Sequence, residues 1–413
     1  MGFTLIKNVT LINGQGTEPV SDAWILIEDN QIVEIGQDSF SRNLEDGKVI
    51  DAEGKYILPG FIDTHVHMTM EIRSIQDTIS TPFSYRFYES AKYLKSTLEA
   101  GITSVRDAGF TDMGTKKAVE DGLIDGPRMQ ISVNPLTITG GHGDNWTRSG
   151  VDTTLQTYPG MPSGICDGVE EVRKTVRKML RAGADVIKVH ATGGVTSPTD
   201  HPEFTQFSYE ELKVMVEEAF YRNGVKVMAH AQGAEGIKNA IRAGIYSIEH
   251  GIYIDEETIE LMLENGTFLV PTLLAPVSVL ESGEKDDRMA PYAIEKSKEV
   301  IEAHKASIAK AYEAGVKIAM GTDAGVMEHG TNLRELGLMC DIGMSPMEAI
   351  VASTKTAAEC LGWDDKVGTI EEGKYADLII TETNPIKNVR SLENSRNISF
   401  VMKDGKVYKN LLG

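Results

Sequence analysis

Residues 182–194 read AGADVIKVHATGG, and they hold one complete structural unit. Ala182-Gly183 ends an amphipathic helix. DVIKVH follows as a short apolar strand, and Thr192-Gly193-Gly194 turns out of it. A glycine just past the last helical turn adopts the left-handed conformation that satisfies exposed carbonyls. The same order recurs at Gly101, Gly224, Gly244, Gly266 and Gly315, followed by ITSVRDAG, KVMAHAQG, YSIEHG, TFLVPT and KIAMGTDAG. YILPGFIDTHVH before the first glycine and RMQISVN after Pro127 raise the number of such strands to eight. Helices alternating with strands apolar on both faces imply parallel β/α units. Eight units in about 300 residues predict an α/β fold of the (β/α)8 TIM-barrel type. The alternative, an open doubly wound sheet, would place GxGxxG after its first strand, and none is there.

The ends of the chain follow a different pattern. FTLIKNVTLI, AWILIEDNQIVEIG and KVIDAEGKYI alternate apolar and polar residues, with turns at Asn13-Gly14, Asp29-Asn30 and Glu53-Gly54. KVGTIEEGKYADLII and ISFVMKDGKVYKN near the C-terminus do the same, the latter with a hairpin turn at Asp404-Gly405. Residues 1–58 and 360–413 are therefore expected to form one small β domain, and 59–359 the barrel.

The bulk numbers restrict the functions available. The 413 residues are 41% hydrophobic and 25% charged, which suits a soluble chain with a large core. A formal net charge of −20 repels nucleic acid and anionic membrane, so neither is expected as a partner. Cys166, Cys340 and Cys360 are odd in number and lack CxxC spacing, which fits a reducing cytoplasm. MGFTLIKNVTLING alternates like a strand and has no signal-peptide apolar run.

A barrel concentrates its chemistry at the C-terminal ends of its strands. His65 and His67 end the first strand, Lys188 and His190 lie late in the fourth, and His230, His250 and Asp323 end the fifth, sixth and eighth. His142 lies in the loop after the third strand, and His329 just past the eighth. Seven of nine histidines thus gather at one rim, whereas His201 falls elsewhere and mid-helix His304 reads as a surface or half-buried side chain. In a strand, residues two apart share a face, so His65 and His67 point the same way. Neutral imidazole is a common ligand of Zn²⁺.

Lys188 is the anomaly of its strand. Parity places it with Val186 and His190, opposite Ile187 and Val189. Burial and nearby cations lower a lysine's pKa, and a neutral amine adds CO2 to give an anionic carbamate able to join two metals. The competing reading is an ion pair with Asp107 or Asp323.

GFIDTHVH, IKVHATGG, VMAHAQG, IEHG and GTDAG together resemble the amidohydrolase superfamily. Within it the chain is most similar to the branch of imidazolonepropionase-like enzymes, metal-dependent Xaa-Pro dipeptidases (prolidases) and related carboxypeptidases. IKVHATGGVTSPTD is the most specific match, and the likeness runs over essentially the whole chain. The resemblance implies a small β-sandwich built from both termini beside the barrel. It implies that His65, His67 and Asp323 hold one Zn²⁺ and that His230 and His250 hold another. N6-carboxylated Lys188 and a hydroxide would bridge the two ions. Imidazolonepropionase uses one metal and no lysine bridge, so Lys188 favours the binuclear dipeptidase branch. Asp323 would act as general base and then general acid on a dipeptide or N-acyl amino acid. Relatives are often homo-oligomers, and the same is expected here.

For the substrate, the resemblance points to His142 as the loop histidine that polarises the scissile carbonyl. Gln232 departs from the Tyr or His that many relatives carry two residues after the fifth-strand histidine. Tyr253 and Arg148 are candidates for a substrate carboxylate, and His329 is a further candidate at the pocket. A cyclic-amide hydrolase of the hydantoinase or dihydroorotase type is the alternative enzyme. A catalytically dead barrel is the non-enzymatic one, although all six ligand positions are filled.

Overall fold

The computed structural model describes residues 2–42, 44, 47–147, 149–152, 157–285 and 289–412. Five strands open the chain: β1 (Phe3–Leu11), β2 (Val20–Glu28), β3 (Gln31–Gln37), β4 (Lys48–Asp51) and β5 (Tyr56–Pro59). Seven parallel strands follow, separated by helices: β6 (Phe61–Val66), β7 (Ile102–Asp107), β8 (Arg128–Ile131), β9 (Val186–His190), β10 (Lys226–Ala231), β11 (Ser247–His250) and β12 (Phe268–Val270). Three strands end it: β13 (Leu378–Thr381), β14 (Ile398–Lys403) and β15 (Lys406–Asn410).

The two chain ends meet in one mixed sheet, ordered β15-β14-β13-β5-β1-β2-β3, with β4 added parallel to β1. The junction is β5 against β13, antiparallel, with Leu58 opposite Ile379. β2 is covered on both faces. Ile25 and Ile27 pack with Ile6, Val9 and Phe400, whereas Trp24 and Leu26 pack with Leu5 and Phe40. Its period of two therefore survives in which cluster each residue joins, although both clusters are apolar.

The middle of the chain is TIM-barrel-like: β6-β7-β8 form one parallel sheet and β9-β10-β11-β12 another. Isolated parallel bridges link them on both sides. Leu136, beyond β8, bridges to Val189 of β9, while Ile318 bridges to Leu269 of β12 and Ala324 to Val66 of β6. Every helix-ending glycine named above has positive φ, from 63° at Gly266 to 100° at Gly183. Helix Tyr209–Phe220 starts with a capping box, in which Ser208 and Glu211 satisfy each other's backbone N–H groups.

The segment expected as the eighth strand differs. Residues 316–324 make single bridges and not a ladder. The reason is local: Thr322 N is shared between the Asp63 carboxylate at 3.1 Å and the His65 carbonyl at 3.4 Å, and Asp323 takes φ 64°. No described helix is long and apolar enough to cross a membrane.

Candidate functional site

The C-terminal ends of the parallel strands border a cavity of about 830 Å³, a volume typical of small-molecule sites. His65, His67, His142, Lys188, His190, His230, Gln232, His250 and Asp323 line it. Strand parity explains the lysine. Ile187 and Val189 join the apolar layer under the helices, whereas Val186 packs inward with Ala108 and Met228, and Lys188 and His190 face the cavity.

Three side chains converge most closely. His67 Nε2 lies 3.1 Å from Asp323 Oδ1, and His65 Nε2 lies 3.5 Å from the same oxygen. Their ligating atoms form the one group of this kind among the described residues compact enough to hold a metal ion. Lys188 Nζ is 3.3 Å from His65 Nε2. Burial is the largest influence on this amine and pulls its pKa down to about 8. It forms no ion pair among the described residues, with Asp107 and Asp323 included. The Asp107 carboxylate instead accepts from Met68 N and Thr111 Oγ1, each at 2.7 Å, and from Gly109 N at 3.0 Å. His230 and His250 stand 4.6 Å apart between ring centroids, and His250 is 5.1 Å from His65.

Each of these rings is fixed through one nitrogen, which turns the other toward the cavity. His65 Nδ1 pairs with Glu249 Oε2 at 2.7 Å, and His67 Nδ1–H donates to the Gly109 carbonyl at 3.1 Å. His250 Nδ1 meets Thr272 Oγ1 at 2.7 Å. His230 is held by its other atom: Nε2–H donates to the Gly193 carbonyl at 3.0 Å, freeing Nδ1. Burial holds the pKa of His65, His230 and His250 well below the usual imidazole value, so they stay neutral. For Asp323 burial favours the acid form, but the His67 hydrogen bond and neighbouring charge prevail and lower its pKa. Its carboxylate is thus an anion beside the neutral imidazole of His65 and the His67 ring, a donor set that fits a divalent metal.

The backbone bends to present two of them. His250 has φ 74° and Asp323 φ 64°, left-handed conformations that cost about 1–3 kcal/mol and persist only where surroundings fix them. Asp323 N donates to the His65 carbonyl at 2.8 Å. His304 Nε2–H donates to the His250 carbonyl at 2.8 Å. His304 is therefore not the surface or half-buried side chain expected from its helix. It is 1% exposed, because helix Pro291–Glu313 packs that face over the end of β11.

The substrate candidates divide. His142 sits above His230 in a stacked contact of 4.4 Å, and its Nδ1 lies 3.2 Å from Asp200 Oδ2 and from Ser197 Oγ. Burial opposes ionisation of Asp200, but its bonds from His142 and Ser197 outweigh it and set its pKa to about 2. Gln232 lines the cavity with a buried Oε1 that has no partner among the described residues. Tyr253 does not line it; its ring packs against Val195, Ile252 and Val300. His329 does not line it either, since Nε2–H donates to the Met70 carbonyl at 3.0 Å and the ring stacks on Tyr93. Arg148 lies outside the described residues.

Sequence reasoning passed over the residues beneath the site. Glu249, fully buried, joins His65 to Arg106, whose guanidinium reaches Glu249 Oε1 at 3.0 Å. Asp63 accepts from His65 N, Thr322 and Asn332, and burial raises its pKa to about 6. Lys296 donates to the carbonyls of Gly194, Ser197 and Asp200 and fixes the loop that carries the His142 partners. Glu249, Arg106 and Asp63 could have been found by the reasoning that singled out Lys188, being charges inside strands apolar on both faces. Lys296 could not, because its helix is amphipathic.

Comparison with known proteins agrees with this geometry. The sequence pattern of the amidohydrolase family matches residues 56–408. The ochratoxinase of Aspergillus niger is 35% identical over 426 aligned positions, covering 98% of this chain and 86% of that protein. A crystal structure of a Xaa-Pro dipeptidase with methionine bound in its active site superposes with a TM-score of 0.89 at 36% identity, covering 99% of this chain and all of that one. A prolidase complexed with N-methylphosphonate-L-proline superposes with a TM-score of 0.91 at 32% identity, over 99% of this chain and all of that one.

Proposed function

The chain belongs to the amidohydrolase family, and from that premise we propose that it is a binuclear zinc hydrolase of amide bonds. The substrate class is a dipeptide, with Xaa-Pro among the forms accepted, or an N-acyl amino acid. The observation that carries this reading is the convergence of His65, His67 and Asp323 beside a buried lysine that has no carboxylate partner among the described residues. The ochratoxinase and prolidase relatives support amide-bond chemistry. The bridges made by Leu136, Ile318 and Ala324 support an eight-stranded closed barrel at 59–359. The sheet shared by both chain ends supports a β-sandwich from 1–58 and 360–413.

His65, His67 and Asp323 would hold one ion, His230 and His250 the other, and carboxylated Lys188 would join the two sets. The lysine step balances: the neutral amine adds to CO2, forms an N–C bond and releases one proton, leaving an anionic carbamate. A pKa near 8 makes the neutral amine accessible at physiological pH. The bound ions would supply Lewis acidity toward the scissile carbonyl and ionise water near neutral pH. The protein's own groups do the rest. The low-pKa carboxylate of Asp323 takes a proton from the attacking water and delivers it to the leaving amine nitrogen. His142, oriented through Nδ1 by Asp200 and Ser197, would as the imidazolium donate from Nε2 to the carbonyl oxygen as it becomes an oxyanion. The proposal extends to a cytoplasmic homo-oligomer, supported by the scattered, unpaired cysteines Cys166, Cys340 and Cys360 for the compartment.

A panel of Xaa-Pro dipeptides, N-acyl amino acids and cyclic imides tests the reading, using enzyme prepared with zinc and bicarbonate. Turnover of the linear amides is expected. Turnover restricted to cyclic imides would assign the hydantoinase-like activity instead. A chain that takes up no zinc and hydrolyses nothing would end the enzymatic reading.

A further inference from the structure

Among the described lining residues the cavity holds three basic side chains: Lys188, Arg73 and Arg86. Two have partners. Lys188 lies against His65, and Arg73 donates to Glu89 at 2.5 Å and to Tyr93 at 3.3 Å. Arg86 has none. It stands in the first turn of helix Tyr85–Glu99, half-buried, with its guanidinium carbon 5.8 Å from the centre of the Phe83 ring. No hydrogen bond or ion pair satisfies it among the described residues.

The carboxylate whose field reaches it, Asp112, is used elsewhere. Asp112 caps helix Met113–Glu120, with its Oδ1 accepting from Thr115 N at 2.8 Å. Burial outweighs that field and lowers the guanidinium's pKa. A partly desolvated cation without a counter-ion is unfavourable. The guanidinium fork is also shaped to take a carboxylate through two parallel hydrogen bonds. The same cavity supplies the other half of the recognition: Ile72, Ile79, Val279, Met289 and Val326 also line it and give it an apolar wall.

We propose that Arg86 is the counter-ion for a free carboxylate on the substrate. The amine part of the scissile amide is then an α-amino acid, and the acyl part is apolar. This deepens the reading above and rests on the cavity being the amide-hydrolysing site. It also moves carboxylate recognition away from Tyr253, which does not reach the cavity, to a residue on helix Tyr85–Glu99, the second of two helices between β6 and β7.

Binding measurements on zinc-loaded enzyme separate the two ideas. N-phenylsulfonyl-L-proline, N-phenylsulfonyl-L-phenylalanine and their carboxamides resist hydrolysis, so calorimetry reads affinity alone. The wild type is expected to bind the acids more tightly than the carboxamides. In Arg86→Gln the loss for the acids should exceed the loss for the carboxamides by about 10- to 100-fold. Should Arg86→Gln fail to fold, Arg86→Met, which keeps a stem packed on Phe83, decides by the same ratio. A wild type with no preference for the acids overturns the assignment, as does a variant that weakens both series equally. A failure of amide turnover would sink the proposed function while leaving this comparison readable.

Discussion

Lys188 and Asp323 carry the proposed chemistry, and each owes its state to its surroundings. The lysine is fully desolvated, so its neutral form is within reach near pH 8. The aspartate is less deeply buried, its side chain 14% exposed, and the adjacent His67 hydrogen bond keeps it ionised. Burial alone would push the two in opposite directions, the amine toward neutrality and the acid toward protonation; only the aspartate has a donor to reverse that. Asp323→Asn removes the proton acceptor and keeps the shape. Steady-state kinetics on a linear amide should then show kcat lower by about 10²- to 10⁴-fold. A loss of less than tenfold would move the general base to another residue.

At the scale of elements, the strand ends are aligned by charges buried one layer below the cavity. Arg106 on β7 donates to the Thr64 carbonyl at 2.7 Å and to Glu249 at 3.0 Å, so it ties β7 to β6 and β11. Both partners are inaccessible to solvent. Arg106→Met leaves the Glu249 carboxylate buried against His65 with no cation, and urea unfolding should show a loss of about 3–5 kcal/mol. Glu335 acts in a similar way on the start of helix Leu274–Lys285. It accepts from Leu273 N at 2.8 Å and Leu274 N at 2.7 Å, just after Thr272, the partner of His250. Burial raises its pKa to about 8, against 4.5 for a free glutamate. The folded state therefore binds this proton more tightly than the unfolded state. Its contribution favours folding below about pH 4.5 and declines as the pH rises toward 8. In Glu335→Gln the melting temperature should fall less between pH 5 and 8 than in the wild type. Parallel pH profiles for the two proteins would refute that role.

Across the whole molecule, the terminal sheet and the β/α region are bound into one unit. Arg128 of β8 pairs with Asp377 at 2.6 Å and with Asp404. Lys403 reaches the Gly126 carbonyl at 2.7 Å, and Lys409 the Glu99 carbonyl at 3.1 Å. These contacts join the last strands to the base of the barrel-like region. A chain ending at residue 397 would lose β14 and β15 and expose the edge of β13 beside its buried apolar residues. Such a chain is expected to aggregate or to melt without cooperativity, as read by circular dichroism and light scattering. A soluble, cooperatively melting truncation would mean that the two regions fold independently.

Local rules determined the repeating helix-glycine-strand unit, the parallel character of the middle and the β character of both ends. A glycine cap and a period of two are properties of a few consecutive residues, and their signal is complete within the sequence. His65, His67, Lys188, His230, His250 and Asp323 were legible for the same reason, since each stands at a strand end or violates the polarity of its strand. Other features needed the folded chain. His304 looked peripheral because an amphipathic helix does not announce which neighbour covers it. Tyr253 and His329 sit close in sequence to site residues but turn toward Val300 and Tyr93. Which ring nitrogen each histidine keeps free, and which cation is left without a carboxylate, depend on partners tens to hundreds of positions away. Those pairings are set by strand register and helix packing, which no short window of sequence contains.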